Sequence, residues 1–176
     1  MKRRPIELKP QFSSSEIGER VRAYGPDQDD EALVAGAKIA RGDYRRENLE
    51  AIFRWKTKGR GVSRLKVNSD EEIADALHLA VNAKTERSAI TAPCGLFGVE
   101  VPVASAILTT INPERFTVID FRALEALGTE TKDRTVDFYL YYLAACRDWA
   151  RRYDVTLRNL DRALWQWSSA KSNQKI

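Results

Sequence analysis

The architecture of this chain depends on one segment, which reads Leu96-Phe97-Gly98-Val99-Glu100-Val101-Pro102-Val103-Ala104-Ser105-Ala106-Ile107-Leu108. Proline suits the first turn of a helix, because its φ is already helical and its missing N–H has no partner to lose there. Pro102 therefore predicts a buried helix that begins near it and runs through Ala104, Ile107, Leu108 and Ile111. Gly98 predicts a tight turn directly before that helix. The N–H groups of such a turn, together with the helix dipole, favour an anion such as a DNA phosphate.

A carboxylate follows, at the end of Phe116-Thr117-Val118-Ile119-Asp120. Together the two features resemble the helix-hairpin-helix DNA glycosylase superfamily. In that family a hairpin of the form Leu-x-Gly-Val/Ile-Gly-x-x-x-Ala precedes a catalytic aspartate that opens the next helix. The hairpin positions are filled here by Leu96, Gly98, Val99 and Ala104, and Asp120 falls at the position of the aspartate. The specific similarity covers about residues 85 to 128.

The chain departs from the family pattern at two positions. Glu100 replaces the second hairpin glycine, and its charge suits a helix N-terminus but repels a phosphate bound there. Pro102 replaces the lysine with which the bifunctional members form a Schiff base. The four-cysteine iron–sulfur motif of some branches is also missing, since the chain has only Cys94 and Cys146. The resemblance therefore implies a reduced-size, monofunctional enzyme without lyase activity at the usual lysine position, with no metal and no cofactor.

The implied activity is hydrolysis of the N-glycosidic bond of a damaged or modified base, which leaves an abasic site. A carboxylate at Asp120 would stabilise the positive sugar of an oxocarbenium-like transition state or activate water. Asp120 also has a structural interpretation as the N-cap of a helix, and one residue can serve in both roles. An oxidised, alkylated or deaminated base and a hypermodified phage base all remain open as substrates, so the role is either DNA repair or antiviral defence.

An enzyme that acts on a base within double-stranded DNA extrudes it by base flipping into a pocket with aromatic or apolar walls. We predict Trp55 as one wall, because it adjoins a basic stretch. Tyr141 or Tyr142 is predicted as another, since neighbouring tyrosines on a helix cannot both face inward. The sole histidine, His78, is predicted to be partly buried and structural.

Positive charge is concentrated in one part of the chain. The formal net charge is +4, but residues 41–66 contain nine Lys and Arg against three acidic residues. This basic segment is typical of a phosphate-binding face, although a solvated helix end would look similar. The predicted DNA contacts are Lys56, Lys58 and Arg60 in the basic segment, Gly98, Val99 and Val101 in the hairpin, and Arg122. Lys56 is open to pocket-lining or plain solvation as well, and Arg122 to a structural ion pair.

The chain is expected to form a single all-α, orthogonal helical domain over residues 1–176. Within it we predict an extended N-terminal arm at 1–12, the helix-hairpin-helix at 85–112 and a flexible tail at 171–176. A second helix, starting near Asp27 to Asp30, is predicted to face inward through Leu33, Ala37 and Ala40. The start of the chain lacks an apolar signal core, and no run of eighteen apolar residues exists. We therefore expect a cytoplasmic, nucleoid-associated monomer with no membrane partner.

Two other functions remain open at this stage. The loss of glycine at position 100 and the absence of accessory regions favour a non-catalytic helix-hairpin-helix module that binds DNA as a subunit or regulator. An all-α protein with no nucleic-acid role would account for the modest overall charge.

Overall fold

The computed structural model describes residues 6–173, and within them the regular structure is entirely helical. The nine α-helices are α1 Ile17–Tyr24, α2 Asp30–Ala40, α3 Arg46–Thr57, α4 Asp70–Asn82, α5 Glu86–Cys94, α6 Val101–Ile111, α7 Phe121–Ala126, α8 Val136–Arg152 and α9 Leu157–Asn173. Short 3-10 helices lie at Ser14–Glu16, Pro26–Gln28 and Val62–Val67. The all-α prediction is confirmed for this part of the chain. None of these helices has the length and apolar character that crossing a membrane requires.

Helix α6 is the central helix of the fold. It begins at Val101, so Pro102 lies in its first turn, as the sequence predicts. Nearly all of its side chains are buried, and it packs against α2, α3, α4 and α5. Helices α5 and α6 are joined by residues 95–100 and contact each other directly. Two packed helices and a short turn thus occupy the region of the predicted hairpin.

Helix α2 turns a different face to the core from the one predicted. Its buried residues are Ala32, Ala35, Gly36 and Ile39. The predicted inward stripe is wrong, because Ala37 and Ala40 are exposed and Leu33 is only half-buried. The reason is close packing on α6: a Cβ added to Gly36 would lie 2.2 Å from the backbone oxygen of Thr110. Contact with α6 therefore requires the glycine face of α2.

Residues 6–10 have no regular secondary structure and residues 11–12 form a bend, and this segment is hydrogen-bonded to the helices. The backbone N–H of Lys9 donates to the carbonyl of Leu127 at 3.0 Å, and the N–H of Gln11 donates to Ala126 at 2.9 Å. The indole N–H of Trp149 on α8 donates to the carbonyl of Leu8 at 2.8 Å. Residues 1–5 of the predicted arm lie outside the described residues.

The predicted flexible tail begins too early. Residues 171–173 are the last turn of α9, and Lys171 pairs with Glu125 at 3.1 Å. Residues 174–176 lie outside the described part of the chain. His78 is exposed on α4 and packs edge-on against Tyr44, with 5.6 Å between ring centroids, so the prediction of partial burial is wrong.

Candidate active site

A cavity of about 330 Å³ lies between α1, α3, α9 and the start of α7. Its aromatic side chains are Tyr24, Trp55 and Trp165; its charged side chains are Lys56, Lys58, Asp120, Arg158, Asp161 and Arg162. The volume is at the lower end of the range for small-molecule pockets, roughly 300–1,000 Å³. Apolar walls with a few convergent charged groups are the usual form of a binding or catalytic site.

Asp120 lies on this cavity at the N-cap of α7. Its Oδ1 accepts a hydrogen bond from the N–H of Ala123 at 2.9 Å, so the capping interpretation is confirmed. Its Oδ2 accepts from the Nζ of Lys56 at 3.0 Å. The residues before it are fixed by α8: the hydroxyl of Tyr139 donates to the carbonyl of Thr117 and that of Tyr142 to Val118. Asp120 is therefore held by rigid backbone.

The environment of Asp120 favours the ionised carboxylate. Burial by itself raises the pKa of Asp120, but the charge of Lys56 and the N–H of Ala123 outweigh it, so that the pKa lies below its ordinary value. The side chain of Lys56 is only 11% exposed, which places this ion pair in a poorly solvated setting. Asp120 thus carries a negative charge into the cavity at neutral pH.

A second carboxylate, Asp161, faces the cavity from α9. Arg158 donates one hydrogen bond to Oδ2 of Asp161 and another to Oδ2 of Asp29, whose side chain is fully buried. Arg162 also pairs with Asp29, at 3.0 Å. Burial raises the pKa of Asp161 to about 6, although the nearby guanidinium of Arg158 acts in the opposite direction. This ionic network joins the start of α2 to α9 under the cavity.

The aromatic walls are held by contacts with each other and with arginines. Tyr24 and Trp165 meet edge to face, with 5.5 Å between ring centroids. The guanidinium of Arg158 lies 5.6 Å from the ring centroid of Trp55. The structure thus places Trp55 on the cavity, as the sequence predicts.

The two predicted tyrosine walls lie elsewhere. Tyr142 is fully buried in the core, and Tyr141 is exposed on α8, where its hydroxyl donates to the carbonyl of Ile6 at 2.6 Å. Neither lines the cavity. The two adjacent tyrosines do face apart, as the prediction assumed. Helix α8, however, packs against residues 117 and 118, which precede Asp120, and does not reach the cavity. Tyr24 and Trp165 provide the aromatic walls in their place.

A smaller cavity of about 180 Å³ brings the basic segment and the predicted hairpin turn together. It is lined by Arg60 and Arg64 on one side and by Gly98, Glu100 and Pro102 on the other. Gly98 has a φ of 85°, and a Cβ there would lie 2.7 Å from the Cβ of Arg64, so only glycine fits this approach. Glu100 is the N-cap of α6, and its side chain makes no capping hydrogen bond.

The other predicted DNA contacts differ in their exposure to solvent. Val99 and Val101 are buried, and the N–H of Val99 already donates to the carbonyl of Leu96 at 3.1 Å. Lys58 is exposed at the rim of the larger cavity, in the left-handed conformation that ends α3. Arg122 makes no ion pair within residues 6–173; its guanidinium lies 5.2 Å from the ring centroid of Trp165 and donates weakly to Ser168 and Ser172.

The contribution of α9 to the site was missed at the sequence level, although the sequence carries a signal for it. Asp161 comes four residues after Leu157 and three before Leu164, and both leucines are buried. This spacing puts a carboxylate on the apolar face of the helix, where an ionisable group needs a partner. Arg158 supplies that partner from the same helix, and Arg162 pairs instead with Asp29.

The chain matches no family model, no curated protein and no solved structure. In residues 6–173, no three His, Cys, Asp or Glu side chains form a group suited to a metal ion. The side chains that line the cavity carry carboxylates, amines, guanidiniums and aromatic rings.

Proposed function

We propose that the protein is a monofunctional DNA glycosylase that removes a damaged or modified base from double-stranded DNA and leaves an abasic site. The observation that carries the proposal is the setting of Asp120, an ionised carboxylate fixed by Lys56 and Ala123 on the wall of an aromatic cavity. A flipped base stacks on the aromatic walls, which places its sugar near the carboxylate. Asp120 then stabilises the positive charge that develops on the sugar.

Water, and not an amine of the protein, is the nucleophile in this proposal. Pro102 has no free amine, and it lines the smaller cavity rather than the one with Asp120. Lys56 is the amine nearest to the carboxylate, but an ammonium in an ion pair has no free electron pair with which to attack the sugar. Lys56 is accordingly a positioning residue that keeps Asp120 charged and oriented.

In this proposal the duplex contacts basic residues beside both cavities. Lys58 is exposed at the rim of the larger cavity, and Arg60 and Arg64 border the hairpin turn beside the smaller one. Exposed cations of this kind are suited to neighbouring phosphates. The proposed setting is the nucleoid of the cytoplasm, where the protein acts as a monomer without a cofactor.

The test is base release from a panel of duplex oligonucleotides. The panel carries uracil, hypoxanthine, 8-oxoguanine, 7-methylguanine and 5-hydroxymethylcytosine, together with modified phage DNA, and abasic sites are detected chemically. The wild-type protein should leave abasic sites in at least one of these DNAs. Asp120→Asn should lower the rate by about 100-fold or more, because Asn keeps the cap but loses the charge. The control Asp75→Asn makes the same change on the exposed face of α4.

The loss of the ion pair must be separated from the loss of the catalytic charge. Asp120→Asn leaves Lys56 without its partner, so the double variant Lys56→Gln/Asp120→Asn is measured beside it. If Asp120 is catalytic, both variants stay folded by circular dichroism, bind DNA and release no base. Borohydride should trap no covalent adduct with wild type, and an adduct would assign the nucleophile to an amine, with Lys56 tested first.

One observation favours a different function, a non-catalytic hairpin module that only binds DNA. Glu100 replaces a hairpin glycine and carries a charge toward the predicted phosphate site. Such a module would bind duplex DNA with steep salt dependence, and neither wild type nor Asp120→Asn would release any base of the panel.

A further inference from the structure

The second carboxylate of the main cavity, Asp161, has no part in the stabilisation of the sugar by Asp120. Asp161 lies on α9, far in sequence from Asp120 at the N-cap of α7, and both side chains line the same cavity. Asp161 is 4% exposed. A carboxylate that is both buried and aimed at a cavity requires an explanation in terms of its partners.

The two carboxylates are bonded differently. Both oxygens of Asp120 accept hydrogen bonds, one from Lys56 and one from Ala123. Asp161 accepts only at Oδ2, from Arg158, and its Oδ1 has no hydrogen-bond partner among residues 6–173. Arg158 is also shared, since its other terminal nitrogen serves the buried carboxylate of Asp29. Asp161 therefore has fewer hydrogen-bond donors than Asp120, and it shares its cation with a second carboxylate.

The charged and titratable groups around Asp161 come from every element packed at this place. They are Tyr24 on α1, Asp29 before α2, Lys56 on α3, Asp120 before α7, Tyr139, Tyr142 and Cys146 on α8, and Arg158 and Arg162 on α9. Burial raises the pKa of Asp161 to about 6; Arg158 opposes this rise and the charge of Asp120 adds to it. The pKa of Asp120 is lowered instead. When two carboxyl groups in one site have pKa values shifted in opposite directions, the one with the raised pKa can act as an acid and the other can stabilise positive charge.

We propose that Asp161 is the general acid of the reaction, which donates a proton to the departing base. This inference rests on the proposed glycosylase function. The bond between C1′ of the sugar and the base nitrogen breaks, and its electron pair goes to the base. The proton of Asp161 moves to an acceptor atom of that base. Water then bonds to C1′ and gives one proton to the Asp161 carboxylate, which restores the starting state.

The proposal also selects a substrate class. A neutral base departs as an anion unless it is protonated, so it benefits from an acid in the cavity. A cationic alkylated purine departs as a neutral molecule and gains nothing from a proton. Asp161 is therefore expected to serve neutral bases that carry an acceptor atom, as oxidised, deaminated and hydroxymethylated bases do.

The kinetic test is single-turnover base release between pH 5 and 8 on each duplex of the panel described above. With wild type, the rate on the released base should fall as pH rises through about 6. Asp161→Asn should be about 100-fold slower at pH 5.5 and should lose this pH dependence, because general acid catalysis typically contributes about that much. Asp161→Glu should restore a rate that falls as the pH rises, and Asp75→Asn should have the pH profile of wild type.

A comparison of leaving groups distinguishes catalysis from a merely structural role. If uracil is released, the same duplex with 5-fluorouracil provides a better leaving base. The rate of Asp161→Asn relative to wild type should then be closer to one than it is with uracil. For a purine, hypoxanthine and 7-methylguanine provide the same contrast. An Asp161→Asn enzyme with the wild-type pH profile and an equal deficit on both leaving groups would overturn the acid role while leaving the glycosylase function in place.

A second measurement needs no substrate. In protein with ¹³C-labelled aspartate carboxyls, the signal that disappears in Asp161→Asn should titrate near pH 6, and titration below pH 4 would overturn the acid role whatever the activity. Failure of wild type to release any base of the panel would overturn the glycosylase function and the acid role together. The two failures are thus distinguishable.

Discussion

Glu100 is the residue that departs most clearly from the pattern of a phosphate-binding hairpin. Its surroundings reduce the repulsion that its charge would exert on a phosphate. It shares the smaller cavity with Arg60 and Arg64, so two cations offset its charge. The turn itself depends on Gly98, whose positive φ and close approach to Arg64 exclude a side chain. Arg60 and Arg64 of the basic segment therefore share one cavity with the turn at Gly98, and Glu100 is the single acidic residue that lines it.

Removing that charge should strengthen DNA binding. We expect Glu100→Gln to bind an undamaged duplex about two- to fivefold more tightly at low salt, in line with the roughly 0.3–1 kcal/mol of a charge at a helix terminus. Fluorescence anisotropy of a labelled duplex measures the effect, and Glu31→Gln on α2 is the control. Equal or weaker binding by Glu100→Gln would show that no phosphate lies near this turn.

Single residues of the site differ in how far local sequence defines them. The cap at Asp120 could be predicted, because an Asp at the start of a helix is a local feature. The partner of Asp120 could not, since Lys56 is 64 residues away and reaches it only through packing of α3 against the rest of the fold. Tyr142 was misplaced for the same reason: its burial depends on the aspartate segment crossing α8.

At the scale of helices, the start of α6 was predicted correctly and the inward face of α2 was not. Ser69 and Glu72 form the capping box that starts α4, and Pro102 lies in the first turn of α6. A cap acts within one turn, so a short sequence window contains it. The face that α2 turns inward depends instead on Gly36 meeting Thr110 on another helix. No window on α2 alone contains that contact.

The contact between α2 and α6 can be tested with a matched pair of glycines. Gly36→Ala should lower the free energy of unfolding by about 1–3 kcal/mol or more, because the added methyl meets backbone that cannot rotate away. Gly18→Ala, at an exposed site of α1 whose nearest neighbour is the flexible end of Arg22, should raise it by roughly 0.4–1 kcal/mol. Urea denaturation at one pH compares the two. A destabilisation of Gly18→Ala as large as that of Gly36→Ala would contradict the close approach.

At the scale of the molecule, the main cavity is assembled from four helical regions that are spread along the chain. Its walls come from the end of α1, the end of α3, the start of α7 and the middle of α9. The all-α class follows from helical periodicity in each segment, but the way these segments meet depends on long-range packing. The Asp29–Arg158–Asp161 network illustrates this, because its members pair across 129 residues. The sequence therefore predicted one wall of the cavity and one of its carboxylates.

The basic segment should give DNA binding a steep dependence on salt. Charge reversal of Lys58, Arg60 and Arg64 should weaken binding to any sequence, and the slope of log K against log salt should shrink by roughly 2 to 3. Lys56 is left out because its ion pair with Asp120 belongs to the cavity. Reversal of the exposed Lys38, Lys84 and Lys132 is the matched control, with little change in slope expected. Salt-independent binding would argue against any nucleic-acid role.

The charge of the main cavity should also decide which bases it accepts. Its lining has four cationic side chains, Lys56, Lys58, Arg158 and Arg162, against the two carboxylates of Asp120 and Asp161. Buried Asp29 pairs with both arginines, which leaves a net excess of one positive charge. Two unit charges 4 Å apart interact by about 1 kcal/mol in water and about 4 kcal/mol near a protein surface, so a cationic base is repelled on entry.

We therefore expect a neutral base such as hypoxanthine to gain a larger rate enhancement over its spontaneous release than the cationic 7-methylguanine does. Lys58→Glu changes the charge at an exposed rim position from +1 to −1. The ratio of the two rate enhancements should then shift toward 7-methylguanine. Lys84→Glu, the same change on an exposed loop, should leave the ratio where it is. If the wild-type protein prefers 7-methylguanine and Lys58→Glu does not alter that preference, the positive charge of the lining has no role in selection, and the aromatic walls alone must hold the base.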